Sequence, residues 1–158
     1  MKKIPLSQGK YALVDDADFE ELNKYNWFAH KKSRGIFYVE RNYRRIEGKQ
    51  TTIKMHREIM QPLEGMVIDH IDGDGLNNQR SNLRICTGTE NKQNQRKYKN
   101  NTSGFKGVSF YRGSRKWGAN IGAGGERVFL GLLTSKLKAY EAYCEACIKY
   151  HGAFSRLK

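Results

Sequence analysis

Long apolar runs are missing from this sequence, and so are most of the features of a secreted chain. No stretch approaches the roughly 18 consecutive apolar residues that span a bilayer. The amino-terminal "MKKIPLSQGK" is basic but has no apolar segment after it. The expectation is a soluble, cytoplasmic protein with no membrane partner. Cysteines number three, an odd and small count that argues against a disulfide framework. Two prolines among 158 residues exclude a proline-rich chain, and 38% hydrophobic with 28% charged residues is a globular composition. That length holds one ordinary domain or two small ones.

Acidic residues are also scarce: 16 Asp and Glu stand against 29 Lys and Arg, a formal charge of +13. With a pI near 9.8, an acidic polymer such as nucleic acid becomes the leading partner class. Residues 98–158 carry 11 Lys or Arg against 3 Glu, so the C-terminal part is the more basic per residue.

The pattern along the chain suggests two domains. "KYALVDDADFEELNKYNWFAH" reads as a strand at Tyr11–Val14, a helix opened by Asp15 or Asp16, and a strand around Trp27–Ala29. "GIFYVERNYR" and "QTTIKMHREIM" follow as a strand and as a strand passing into a helical turn, with Trp27, Phe28, Phe37 and Tyr38 expected in the core. The polar, basic "NKQNQRKYKNNTSG" places a boundary at residues 98–104. Beyond it come three candidate strands, Phe105–Arg112, Lys116–Ala123 and Arg127–Leu133, and one helix over about Ser135–Tyr150. Cys144 and Cys147 fall one turn apart on that helix and read as core residues, with zinc binding beside His151 the alternative.

Chemistry concentrates in "VIDHIDGDGLNNQRSNLR", residues 67–84. A calcium loop needs oxygen ligands at positions 1, 3 and 5, Gly at 6 and Glu at 12. Counted from Asp72, Leu76 occupies position 5, Asn77 position 6 and Leu83 position 12, so that reading fails. "MVIDH" is instead a strand ending in Asp69 and His70, "GDGLNNQRS" is turn material, "NLRIC" is a second strand, and "TGTENKQNQRK" begins a helix with Thr87 and Glu90 in capping-box spacing. Strand, loop, strand and helix would bring Asp69 and Asn91 near one ion. One carboxylate and one amide oxygen suit a hard cation such as magnesium, and His70 is then available as a neutral base. Asp72, Asp74, Asn77 and Asn78 read as turn chemistry.

From "MHREIM" through this stretch to "TENKQN", the sequence resembles the HNH nucleases of the ββα-metal superfamily, particularly the phage and intron-encoded homing endonucleases. The resemblance implies Asp69 and Asn91 as metal ligands, His70 as general base, and Asn82 as the middle Asn that braces the loop and orients His70. Asn91 stands where many members carry the last His; homing-type members also use Asn there, and Asn94 is a second candidate. His56 and Arg57 occupy a recurring family position, where they would serve at the scissile phosphate or in the scaffold. His30 and His151 read as ordinary histidines. The implied cofactor is one Mg²⁺ or Mn²⁺ per active site, and the implied setting is a phage-infected or bacterial cell.

In the C-terminal part, alternation points Val108, Phe110, Trp117, Ala119, Ile121, Val128, Leu130 and Leu132 toward the helix. The other face presents Ser109, Tyr111, Lys116, Asn120, Arg127 and Phe129 among glycines, with Lys106, Arg112 and Arg115 at its edges and turn. It reads as a major-groove surface, with a solvated charged face the alternative. "FKGVSFYR", "KWGANI", "RVFLGLLTS", "KAYEAY" and the closing "HG" resemble the APETALA-type (ethylene-response-factor) DNA-binding domain, which also occurs fused to HNH homing endonucleases. Ser109 and Tyr111 stand where the plant proteins carry Arg, so their target sequence does not transfer.

The combined expectation is an α+β protein. An N-terminal HNH ββα-metal domain would occupy residues 1–97, with its metal core at about 65–97. A linker at 98–104 would lead to a three-stranded antiparallel sheet packed on one helix at 105–158. The expected function is metal-dependent cleavage of double-stranded DNA by a monomer or homodimer. The alternatives are a DNA-binding regulator that keeps the HNH scaffold without cutting, and a nucleic-acid protein acting by charge alone.

Overall fold

A computed structural model of the chain describes residues 1–32, 35–46 and 48–157, the side chains of residues 45 and 46 excepted. Residues 33, 34, 47 and 158, which the expected domain ranges include, lie outside the described residues. The chain is mixed α+β and divides into two compact units, Met1–Thr87 and Gly88–Lys158.

In the first unit, β1 (Lys2–Pro5) pairs antiparallel with β2 (Tyr11–Val14), and α1 (Asp16–Leu22) follows. The strands β3 (Phe28–Lys31), β4 (Phe37–Ile46) and β5 (Lys49–Lys54) form an antiparallel sheet in chain order. A helical turn, α2 (Met55–Met60), leads to the hairpin of β6 (Val67–His70) and β7 (Leu83–Cys86). One core joins these pieces: Ile4, Val14, Leu22, Trp27, Val39, Met55, Ile59, Ile68 and Leu83 pack together. The Trp27 indole N–H is satisfied by the carbonyl of Leu22 at 2.8 Å, as a buried indole requires. Because Ile68 and Leu83 belong to that core, the ends of β6 and β7 are fixed by the same packing that holds the scaffold.

The second unit starts with α3 (Gly88–Gln93) and contains β8 (Val108–Tyr111), β9 (Lys116–Ala123), β10 (Glu126–Leu133) and α4 (Lys136–His151). β9 is central, antiparallel to both neighbours. Ser135 caps α4 by accepting from the Lys138 amide at 3.1 Å. Val108, Ala119, Ile121, Ala139, Tyr143, Ala146 and Cys147 form the buried layer between sheet and helix, with Val128 and Leu130 against it. Gly107 is required there: its φ is +75°, and a Cβ would lie 2.1 Å from the Tyr143 ring.

One expected orientation is corrected. The register slips between Phe129 and Gly131, so that Gly131 opposes Ala119 and Leu132 opposes Gly118. That bulge reverses the alternation beyond it. Leu132 turns to the outer face while Leu133 joins the core layer. The segment expected as a linker is tied by its own side chains: Asn101 accepts from the Gly104 amide at 2.7 Å and donates to the Phe105 carbonyl at 2.9 Å. Ser103 is buried beside it.

Candidate active site

The hairpin of β6 and β7 ends in a long loop whose shape is set from two sides. From within, Asn82 accepts from the Asp72 amide at 3.1 Å and donates to the Asp72 carboxylate at 3.0 Å and the Asn77 carbonyl at 2.9 Å. Asp72 also accepts from the Asp74 amide at 2.7 Å. Burial pushes the Asp72 carboxyl up, but the Asp74 amide and the side chains of Asn77 and Asn82 outweigh it and hold it below the usual carboxylate range. From outside, β2 grips the loop: Leu13 donates to the Leu76 carbonyl at 2.9 Å, and Asn78 donates its amide to the Leu13 carbonyl at 2.8 Å. Asp15, at the start of α1, accepts from the Arg80 amide at 2.8 Å, and Asp18 takes the Arg80 guanidinium at 2.9 and 2.7 Å. Asp15 therefore serves the loop and makes no side-chain cap on its own helix.

Asp69 and His70 close β6 and are each only 5% exposed. Asp69 lies directly opposite Arg84 in the ladder. The Arg84 Nε and Nη2 both donate to Asp69 Oδ2, at 2.8 and 2.5 Å. His70 Nε2 is 3.5 Å from the side-chain oxygen of Asn78. Asn78 is fully buried, and its Nδ2 donates to the carbonyls of Gly75 at 3.4 Å and Leu76 at 3.2 Å. Those two bonds turn Oδ1 toward the imidazole, where it is an acceptor for an Nε2 proton. Burial pushes the His70 pKa below its ordinary value against the pull of Asn78 and the nearby aspartates, which leaves a neutral imidazole at pH 7.

His56, on α2, meets His70 edge to face with ring centroids 5.1 Å apart. Tyr38 closes the group, 5.9 Å from His56 and 5.8 Å from His70. Burial, helped by proximity to His70 and by the Lys54 and Arg57 cations, brings the His56 pKa down to about 3. Its Nδ1 is buried and has no hydrogen-bond partner among the described residues. Arg57 donates to the Met66 carbonyl at 3.2 Å. Asn91 lies on α3 in the second unit, and Asn94, which is buried, follows the end of that helix.

Residues 61–93 match the HNH endonuclease family. The matched span runs from the end of α2 to the end of α3 and contains Asp69, His70, Asn78, Asn82, Arg84 and Asn91. The chain is also 41% identical over 64 residues to Protein 3.8 of Escherichia phage T7, an alignment covering 40% of this chain and 53% of that protein. The chain thus spans about half the length of that relative. No solved structure matches. No helix among the described residues is long and apolar enough to cross a membrane.

Three participants escaped the sequence reading. Asn78 looked like turn material and instead faces His70. Arg84 was seen only as part of a motif, although it opposes Asp69. Tyr38 was assigned to the core and forms the wall behind both imidazoles. The spacing of "NNQRSNLR" was the available signal, since it repeats buried amides where a simple turn needs none.

In the second unit, the outer sheet face carries Ser109 opposite Gly118, Tyr111 opposite Lys116, Asn120 opposite Phe129 and Gly122 opposite Arg127. Arg127 Nε donates to Asn120 Oδ1 at 3.1 Å. Arg112 and Arg115 are exposed at the turn between β8 and β9. Lys106 is drawn inward, where its Nζ donates to the Gln93 carbonyl at 2.7 Å and burial pushes its pKa down. Cys147 is buried with its Sγ 3.5 Å from His151 Nδ1, and His151 Nε2 donates to the Gly122 carbonyl at 2.6 Å. The pair of side chains thus ties α4 to β9.

Proposed function

We propose that this chain is a metal-dependent DNA endonuclease of the HNH homing type, cutting phosphodiester bonds with His70 as general base. The observation that carries the reading is the buried His70 at the end of β6, facing the side-chain oxygen of Asn78 and held by burial below its ordinary pKa, as a general base at neutral pH requires. Asp69, the neighbouring residue on the same strand, is anchored by Arg84, and Asn82 braces the loop that carries Asn78. Asp69 and Asn91 are the proposed oxygen donors for one Mg²⁺ or Mn²⁺. The donor chemistry fits such an ion, being a carboxylate and an amide oxygen with no thiolate. Among the described residues no cluster of three His, Cys, Asp or Glu side chains forms a site of the zinc kind. When bound, the ion supplies positive charge to the phosphate and to the departing oxygen.

The water oxygen forms the new bond to phosphorus, its proton passes to the His70 imidazole, and the bond to the 3′-oxygen breaks. The products are a 5′-phosphate and a 3′-hydroxyl. In this reading His56, packed against His70, is a contact for the scissile phosphate. Arg57 supports the loop before β6 through Met66. One such site per chain nicks one strand, and a double-strand break takes two copies or two events.

The DNA-binding surface of this reading is the APETALA-like sheet of residues 105–158, joined by the segment 98–104 to a nuclease domain of residues 1–97. Ser109, Tyr111, Arg112, Arg115, Lys116, Asn120 and Arg127 contact the duplex, and Lys106 supports the sheet from its edge. The excess of cations over acids in this part of the chain supports it. DNA ligase provides the test of the chemistry: nicks made by this protein in plasmid DNA with magnesium are resealed without prior phosphatase or kinase treatment. Nicks that ligase cannot seal, or cutting that persists in excess EDTA, would overturn the mechanism.

A further inference from the structure

The outer face of the β8–β9–β10 sheet carries an apolar spot inside a basic surround. Tyr111 lies across Gly118 so closely that a Cβ there would come within 2.3 Å of its ring. The Tyr111 and Phe129 ring centroids are 6.2 Å apart. Leu132 faces the same side, opposite Gly118, because of the bulge in β10. These side chains are 37%, 53% and 40% exposed, a cluster that water solvates poorly and that marks a contact surface. Lys116 stands directly opposite Tyr111, Arg127 two residues before Phe129, and Arg112 and Arg115 at the adjoining turn. A second copy of this chain would bring like charge against like. A polyanion that also displays apolar groups satisfies both halves of the surface.

Duplex DNA has that combination in its major groove at thymine, whose C5-methyl is the apolar group on the base edges. We propose that Tyr111, Phe129 and Leu132 form a thymine-methyl contact that sets part of the target sequence, an inference that rests on the sheet being the DNA-binding face. Arg127 and Phe129 are two residues apart on one strand, roughly 6.6 Å, close to two base-pair steps of 3.4 Å. The Arg127 guanidinium, held at Nε by Asn120, therefore meets a base edge or phosphate about two steps from the thymine.

The test uses the full chain in EDTA, so that nothing is cut, and a duplex selected on it from a random pool. Each thymine is then replaced in turn by deoxyuridine, which removes the methyl and keeps every hydrogen bond. At one or two positions binding weakens about four-fold per methyl lost. Phe129→Ala and Leu132→Ala, both at exposed positions, bind the thymine and uracil duplexes equally. Equal binding of the unsubstituted protein to both duplexes at every position would overturn the contact. A double variant, Lys116→Ala with Arg127→Ala, separates the two levels. Weaker binding of all duplexes without any thymine preference keeps the sheet as the DNA face and overturns the methyl contact, while unchanged binding overturns both. A dimer in sedimentation that Phe129→Ala dissociates would assign the patch to self-association and overturn the proposal.

Discussion

Asp69 and Arg84 face each other across β6 and β7, and one carboxylate oxygen is held by two guanidinium nitrogens at 2.8 and 2.5 Å. Both side chains are largely buried. Replacing Arg84 by Ala leaves the buried carboxylate without this partner, and breaking a buried pair on one side costs about 3 kcal/mol or more. The check is urea unfolding of Arg84→Ala, Asp69→Asn and the double variant. The expected result is a coupling of more than about 1 kcal/mol, because Asp69→Asn removes the charge that Arg84 serves.

Asn78 offers a cleaner separation of fold from chemistry. Its amide donates to two loop carbonyls while its oxygen faces His70. Asn78→Ala loses both, so stability falls by about 1 to 3 kcal/mol. The nicking rate falls by about ten-fold or more, as when a positioned base loses its orientation. Measuring rates well below the unfolding temperature keeps the two effects apart.

Two imidazoles buried in the neutral form make stability depend on pH. The unfolded chain takes up protons at His56 and His70 near pH 6.5, whereas in the folded chain burial lowers both, His56 to about 3. The unfolded state therefore binds more protons below pH 6.5, and stability declines as pH falls from there toward 3. Each site contributes a slope of at most about 1.4 kcal/mol per pH unit. His56→Gln should flatten the dependence of the melting temperature between pH 6 and 4.

Gly75 tests how closely the loop approaches the wall behind the imidazoles. A Cβ at this position would lie 2.3 Å from the Phe37 carbonyl oxygen and 2.8 Å from the Tyr38 ring. Backbone cannot yield as a side-chain tip does, so Gly75→Ala costs about 1 to 3 kcal/mol and displaces Tyr38 from His56 and His70. Thermal unfolding together with the imidazole proton shifts in NMR reads both consequences.

Much of this arrangement was legible in the chain. The apolar alternation of "VIDH" and "NLRIC" gave the hairpin, and the observed β9, β10 and α4 lie within a residue or so of the expected elements. What stayed hidden was non-local. Asn78 reaches His70 because β2, more than sixty residues earlier, bonds the loop on both sides through Leu13. Arg84 opposes Asp69 through a register that an irregular loop cannot announce. Leu132 faces outward because one bulge shifts the period, and the only local hint was Gly131 inside a strand. β1 was overlooked because a short strand ending at Pro5 has little signal of its own.

The most direct test of the account is the conversion of supercoiled plasmid to open circles in magnesium by the intact protein and by His70→Ala, with circular dichroism confirming that the variant is folded. The account predicts nicking by the intact chain and a loss of about a hundred-fold or more in the variant, the size expected of a general base. Equal nicking by the two proteins, or none by the intact one, would contradict it.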